Sequence, residues 1–375
     1  MKDKIKIILF KIFTLLPIKK NKIVCNNFNG KGYGDNPKYI VNELLIDNNY
    51  DIVWICQSKY SDSVPKGVRV VTGGIRGLYE YATAKIWISN VRLPLYLTKR
   101  RKQFYIQTWH GGLGLKKCEK DVINTLTPIY IKMMDKDSKM IDLAISNSKF
   151  LTNVYNTALD YHGTILEKGL PRNDSLISNN EDFKYLKNKF NIRDELVLLY
   201  APTFRDNYRT NVYNVDMDKL INTLEKTTNK KWKVLVKFHP NVNNADEIFN
   251  FSDKIINCSD YGDINELFLI TDLLLTDYSS CMFDFMLLNR KIYLYAPDIE
   301  EFMKERDFMI DINKLPFPLA KNMDELLNVI NTNINNKDVS KYDKFLSKYG
   351  MNETGKSAYE VKKIIDKVIG GKYEV

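Results

Sequence analysis

Short apolar runs alternate with helix-length amphipathic segments along most of the chain, and this leaves few folds open. The first stretch has strand-like runs at 22–28, 51–56, 68–71, 86–89, 103–108 and 141–146, with helical patterns such as 36–46 and 75–84 between them. The second has strand-like runs at 196–201, 233–238, 254–257, 273–276 and 291–295, with helical patterns at 216–227, 264–270 and 280–288. Strands alternating with helices indicate parallel sheets built from βαβ units. The pattern predicts an α/β chain of two Rossmann-like domains facing a central cleft, with ligands at the carboxyl ends of strands. A polar, irregular seam at 171–193 divides them. The expected organisation is 1–22 as a basic N-terminal segment, 23–172 as the first domain and 173–375 as the second. A length of 375 residues suits two domains, and 44% hydrophobic residues exclude a disordered chain.

The formal net charge of +10 bears on partners rather than on fold. Nucleic acid, anionic lipid and a small phosphorylated substrate all suit it, as does a merely Lys-rich composition. Five cysteines at wide spacing, none in a CxxC pair, form no disulfide framework and suit a reduced compartment. His110, His162 and His239 are the only histidines, and no two share a zinc-site spacing. The run from Ile5 to Ile18 is largely apolar but contains Lys6 and Lys11 and is flanked by further lysines. It is too short to span a bilayer, which takes about 20 apolar residues. No small-residue cleavage site follows it. The expectation is a basic amphipathic segment on an anionic membrane surface, with packing onto the protein body as the alternative.

Four motifs place chemistry at strand ends. In LLLTDYSSCMFDF (273–285) a strand ends at Thr276-Asp277, and Ser279 and Ser280 precede a helix whose N–H groups suit an anion. In KVLVKFHPN (233–241) a strand delivers Lys237 and His239 before a proline. In LYAPTFR (199–205) Thr203 and Arg205 follow a strand, and an arginine there can fork onto phosphate. In QFYIQTWHGGLGLKK (103–117) a strand leads to His110, then Gly111 and Gly112, with Lys116 and Lys117 beyond. Taken singly, each has a plain structural reading: a capped helix, a corner histidine, a solvated arginine. Together they suit a pyrophosphate donor, with cations and N–H groups on the phosphates and a neutral histidine to deprotonate an acceptor hydroxyl. Asp216-Met217-Asp218 imitates a metal-binding DxD, but it opens a helical pattern where acids are favoured by the helix dipole. Asp135-Lys136-Asp137 reads as surface.

The set QTWHGG, NSKF (147–150), GLPRND (169–174), YAPTFRD, VKFHPN and LLTDYSSCMFDF, with FNGKGYGDNPKYI (28–40) before it and NETGKSA (352–358) after, resembles the CDP-glycerol glycerophosphotransferase family of teichoic acid and capsule polymer synthesis. The resemblance implies a GT-B-like fold, CDP-glycerol as donor bound by the second domain, CMP as product and no metal or other cofactor. It also implies a lipid-linked saccharide or glycerol-phosphate acceptor of undecaprenyl type and a peripheral place on the cytoplasmic membrane face. His110 and His239 correspond to the family's essential pair. The resemblance leaves open which is the base; His110 is the expected one, with His239 on the donor phosphates. Arg205, Thr203, Lys237, Ser279 and Ser280 are expected on the donor, Asp277 as an orienting group and Arg172 nearby. Gly111, Gly112 and Lys116 are expected in an acceptor loop. The loop departs from the family's usual WHGTPLK. With no room for the extra N-terminal domain of some relatives, a priming or capsule enzyme is expected over a long-chain polymerase. A CDP-ribitol-dependent transferase on the same scaffold is the alternative, and a basic nucleic-acid or anionic-polymer binding protein is the reading from another class. The basic residues spread along the chain argue against that last reading.

Overall fold

A computed structural model describes residues 3–47, 49–178, 183–205, 211–213, 215–239, 242, 248–305, 307–336 and 338–373. The chain forms two compact units. The first contains Met1–Gly112, Cys118–Asp174 and Gly350–Val375; the second contains Leu113–Lys117 and Ser175–Tyr349.

The first unit is built on a seven-stranded sheet in the order β3-β2-β1-β4-β5-β6-β7. Its strands are β1 (Lys19–Asn26), β2 (Asp51–Ile55), β3 (Arg69–Val71), β4 (Ala84–Ser89), β5 (Phe104–Gln107), β6 (Leu143–Ser146) and β7 (Thr164–Glu167). The second unit holds a six-stranded sheet in the order β10-β9-β8-β11-β12-β13. Its strands are β8 (Leu196–Tyr200), β9 (Trp232–Val236), β10 (Ile255–Asn257), β11 (Leu273–Thr276), β12 (Lys291–Tyr295) and β13 (Leu319–Ala320). Every pairing in both sheets is parallel. Both are doubly wound α/β sheets, as the alternation predicts. The middles of the central strands are apolar because a parallel sheet is covered on both faces; Val24, Trp54, Trp87, Ile106, Leu198 and Leu274 are fully buried. β7 and β13, absent from the sequence reading, are short edge strands of four and two residues. Neither is long or apolar enough to stand out.

The segment 350–375 packs with the first unit, although 173–375 was expected to form the second domain. Asp174 accepts hydrogen bonds from Ser357 N (2.9 Å) and Ala358 N (2.8 Å), the first turn of the helix Ser357–Gly370. Glu353 accepts from Asn147 Nδ2 (2.8 Å), Asn173 Nδ2 (2.7 Å) and Leu170 N (3.0 Å). The helix then lies on the helix Asp35–Asp47, with Lys362 on Asp47 and Tyr50 on Asp366. A carboxylate at a helix N-terminus and a second one satisfied by three donors are strong local anchors.

At the other end, the helix Asp3–Phe13 packs on the helix Gly74–Thr83. Phe10 is 2% exposed and meets Trp87 edge-on, and Phe13 meets Tyr79. Arg100 donates to the carbonyls of Thr14 (2.6 Å) and Leu16 (2.9 Å). The segment therefore both packs on the body and keeps an apolar row outward: Ile5, Ile8, Ile12 and Leu15 are 48%, 59%, 53% and 85% exposed. Among the described residues, no helix is long and apolar enough to cross a membrane.

Candidate functional site

The first unit reverses strand order between β1 and β4: the chain builds β2 and β3 on one side of β1, then returns to its other side. In such sheets ligands bind at the carboxyl ends of strands beside this switch point. His110 stands three residues past the end of β5. Its Nδ1 lies 2.8 Å from the carbonyl oxygen of Asn90, which follows β4. A carbonyl can only accept, so Nδ1 carries the proton and Nε2 keeps its lone pair. The ring reaches solvent, yet surrounding protein atoms strip away enough water to hold its pKa below the usual imidazole value. This desolvation outweighs the opposing pull of the Asn90 hydrogen bond and the Asp35 carboxylate. His110 is thus kept neutral at physiological pH, as a general base requires.

A buried polar frame holds this geometry. Asn90 is fully buried; its Nδ2 donates to Asn27 Oδ1 (2.8 Å) and Asp35 Oδ2 (3.1 Å), and its Oδ1 accepts from Phe28 N (2.9 Å). Arg172 Nη1 donates to Asp35 Oδ1 and to the His110 carbonyl, both at 2.9 Å. Asn36 Nδ2 donates to the Trp109 carbonyl (3.0 Å). Arg92 lies over the Trp109 ring, held by Glu119 and Asp137. Five non-glycine residues of this frame have positive φ: Phe28 (42°), Asn29 (57°), Asp35 (53°), Trp109 (52°) and Glu119 (51°). Each such conformation costs on the order of 1–3 kcal/mol and persists only where surrounding contacts over-determine it. Gly112 is needed for a close approach, because a Cβ there would stand 2.9 Å from Asn147 Nδ2 and 3.1 Å from Leu170 Cδ1. Gly111 is under no such pressure; its Cβ would make ordinary 3.4 Å contacts with the Trp109 ring.

The second unit repeats the plan. β9, β8 and β11 are neighbours, and β8/β11 is the switch point. The three motifs predicted at strand ends therefore leave adjacent strands. Asp277 Oδ1 accepts from Thr203 N (2.8 Å) and Tyr278 N (2.6 Å), tying the loop after β8 to the loop after β11. Arg205 is 3% exposed, and its guanidinium is engaged inside the unit. It meets Asp277 Oδ2 (2.9 Å) and Asp298 Oδ2 (2.7 Å), donates to the Thr203 carbonyl (2.5 Å), and lies over Tyr278 and Phe302. Burial alone would lower its pKa, but the two carboxylates outweigh this and hold it above the ordinary value. Lys237 Nζ donates to the carbonyls of Ser259 (3.2 Å) and Tyr261 (2.7 Å), and burial pushes its amine below the usual lysine range. Arg205 and Lys237, expected to reach donor phosphates, are thus engaged with their own unit. Residues at the loop surface are different. His239 is exposed and stacks on Phe204 at 5.5 Å. Ser279 and Ser280 are half-exposed, and Ser280 makes no side-chain cap bond to the helix it precedes. The half-buried Thr203 has an Oγ1 without a partner. Pro240 and Asn241 of the histidine motif lie outside the described residues.

The expected acceptor loop divides. Gly111 and Gly112 belong to the first unit, whereas Lys116 belongs to the second, bridging to Phe308 and lying over the Phe302 ring. Arg172, expected near a donor, is buried in the first unit behind His110. Asp216 caps the helix Met217–Thr228 by accepting from Lys219 N (2.9 Å), as the dipole argument predicted. Among the described residues, no group of three or more His, Cys, Asp or Glu is placed to hold a metal ion. Asn27, Asn90, Asp35, Asn36 and Arg92 were missed by sequence reasoning. Asp35 and Asn36 lay inside the quoted FNGKGYGDNPKYI, and Asn90 ends a strand-like run, which was their only signal.

A family model described as CDP-Glycerol:Poly(glycerophosphate) glycerophosphotransferase matches residues 8–367. The teichoic acid poly(glycerol phosphate) polymerase of Bacillus spizizenii is 32% identical over 381 residues, covering 97% of this chain and 95% of that protein. The enzyme of the same description from Bacillus subtilis is 33% identical over 371 residues, covering 94% of this chain and 50% of that protein. Among solved structures, a histidine variant of the wall teichoic acid polymerase TagF soaked with CDPG superposes with a TM-score of 0.86 at 29% identity, covering 98% of this chain and 95% of that one. A polymerase matched over 95% of its length removes the expected preference for a priming enzyme, because chain length does not separate the two.

Proposed function

Because the chain belongs to the CDP-glycerol:poly(glycerophosphate) glycerophosphotransferase family, we propose that it transfers glycerol phosphate from CDP-glycerol to the hydroxyl of a membrane-held acceptor, releasing CMP. The architecture is GT-B-like α/β, with one Rossmann-like unit for each half of the chemistry. His110 Nε2 takes the acceptor hydroxyl proton, and the oxygen attacks the β-phosphorus of the donor. The bond from that phosphorus to the bridging oxygen breaks, and CMP leaves with the electron pair. The exposed His239 and the half-exposed Ser279 and Ser280, at the β9 and β11 ends, bind the donor phosphates, with the half-buried Thr203 beside them at the β8 end. Arg205, Asp277 and Lys237 hold those loops in place, and Arg172 holds the His110 backbone. The observation that carries the reading is the fixed tautomer of His110, which leaves one unprotonated nitrogen at a strand end. No step needs a metal. Acceptor-dependent CMP release from CDP-glycerol is therefore expected to persist in EDTA with a lipid-linked glycerol-phosphate acceptor. CMP only after Mg²⁺ is restored would overturn the metal-free reading, and CMP only from CDP-ribitol would replace the donor.

The acceptor is held at the cytoplasmic face of the membrane, where the helix Asp3–Phe13 docks. The row Ile5, Ile8 and Ile12 recurs on one face of this helix, Leu15 continues it in the turn beyond, and lysines lie around it, as an interfacial anchor requires. Deleting the helix would also uncover Trp87, so substitution is the cleaner test. Ile8→Asp with Ile12→Asp is expected to cut sedimentation with anionic liposomes at least fivefold, leaving the melting temperature unchanged. Equal sedimentation would refute this anchor.

A further inference from the structure

His110 is held at two points, and both holds pass through one carboxylate. Its main-chain carbonyl accepts from Arg172 Nη1 (2.9 Å), and the same nitrogen donates to Asp35 Oδ1 (2.9 Å). Its ring is held through Nδ1 by the carbonyl of Asn90, whose side-chain amide donates to Asp35 Oδ2 (3.1 Å). Asp35 thus sets one oxygen behind the backbone of the candidate base and the other behind its ring. The Asp35 and Arg172 side chains are 11% and 7% exposed, so water competes little for these bonds.

Asp35 is itself fixed by the loop it supports. It opens the helix Asp35–Asp47 at φ 53°, and its Oδ1 also accepts from Asn36 N (2.6 Å). Asn36 returns to the same loop: its Oδ1 accepts from Arg172 N (3.2 Å), and its Nδ2 donates to the Trp109 carbonyl (3.0 Å). In a Ser-His-Asp triad the carboxylate takes the Nδ1 proton itself. Here a neutral carbonyl takes it, and the carboxylate stands one residue back, paired with Arg172. With its charge balanced in this way, Asp35 contributes position rather than basicity.

We propose that Asp35 is a positioning residue for the transfer, fixing His110 through Arg172 at the backbone and through Asn90 at the ring. The inference rests on the transferase reading with His110 as base. Asp35→Asn tests it with little change of shape. Asparagine is among the residues that best tolerate a positive φ, so the helix start survives. An amide, however, has one oxygen where the carboxylate has two. Its nitrogen must face either the Arg172 and Asn36 donors or the Asn90 amide, and one hold on His110 is lost. kcat is expected to fall on the order of 10- to 100-fold, as a small misplacement of a catalytic group does, with KM for CDP-glycerol within about twofold. In a His110→Ala background the same substitution should change the residual turnover less than about twofold, because its effect passes through His110. An equal fall in both backgrounds, or near-normal kcat in the first, would overturn the role.

A second readout needs no substrate. The Phe28 and Trp109 rings that pack on His110 carry no charge. The charged groups that face it are Asp35 and Glu119, which favour its imidazolium form, and Arg172, which opposes it. Neutralising Asp35 leaves Arg172 uncompensated. The His110 titration, followed by ¹⁵N NMR with His110→Ala to assign it among the histidines, should therefore move to lower pH in Asp35→Asn. The neutral ring should keep its proton on Nδ1, because the Asn90 carbonyl is main chain. A midpoint that stays in place or rises would overturn the link between Asp35 and the base. If the unaltered protein releases no CMP, the transferase reading fails on its own, and the titration still decides whether Asp35 acts on His110.

Discussion

His110→Ala is expected to lower kcat/KM for glycerol-phosphate transfer by about 10²–10⁴-fold, the range of a lost general base. The fold should survive, because the His110 ring packs at the surface and its neighbours are held by other bonds. Arg172 and Asn36 grip the backbone carbonyls of His110 and Trp109, and Asn90 keeps its own partners on Asn27, Asp35 and Phe28. The same assignment fixes a pH profile. A base works only when neutral, and desolvation holds the His110 pKa below its usual value. The acid limb of kcat/KM should therefore fall below the ordinary imidazole pKa of about 6.5. Loss of activity should begin only as the pH drops under that figure. Asn90 acts through its main chain, so a side-chain substitution there would disturb Phe28 and Asp35 rather than the tautomer. Near-normal turnover in His110→Ala, or an acid limb above 7, would remove His110 from the base role.

The second large effect is on stability. Arg205→Met is expected to destabilise the second unit by about 3–5 kcal/mol, seen as a lowered urea midpoint, because it leaves Asp277 and Asp298 buried without their cation. The two acids are not equivalent. Asp298 also accepts from Tyr278 Oη (2.9 Å), whereas Asp277 holds the Thr203 and Tyr278 amides. Losing Arg205 should thus loosen the loops after β8 and β11 together and abolish transfer through that loosening. Arg205→Lys keeps a charge but cannot span both carboxylates as a fork, and should fall between. A phosphate ligand would behave otherwise. Unchanged stability with a raised KM for CDP-glycerol would mean that Arg205 contacts the donor and that the ion pairs rearrange on binding.

This contrast shows where sequence reasoning stops. LYAPTFR correctly located an arginine past a strand end, and strand ends do collect the candidate groups. Whether a side chain turns outward to a ligand or inward to a carboxylate depends on partners far along the chain. Arg205 turns in because Asp298 arrives from beyond β12, 93 residues later. Arg172 turns in because Asp35, 137 residues earlier, meets it behind His110. The same holds for NETGKSA: its glutamate is explained by Asn147 and Asn173, which no local pattern links to it.

The sequence alone determined the alternation of strand and helix, because apolar periodicity is a property of neighbouring residues. It thereby placed His110, His239, Asp277 and the serine pair at strand ends, and its ordered motifs carried the family. Tertiary structure decided which of those groups are available for chemistry. It turned two arginines into scaffold, gave His110 a fixed tautomer through a backbone carbonyl from another strand, and carried Leu113–Lys117 and the C-terminal helix out of the domains expected for them. Burial, hydrogen-bond pairing and desolvation join residues that are distant in sequence, and no local pattern can supply them.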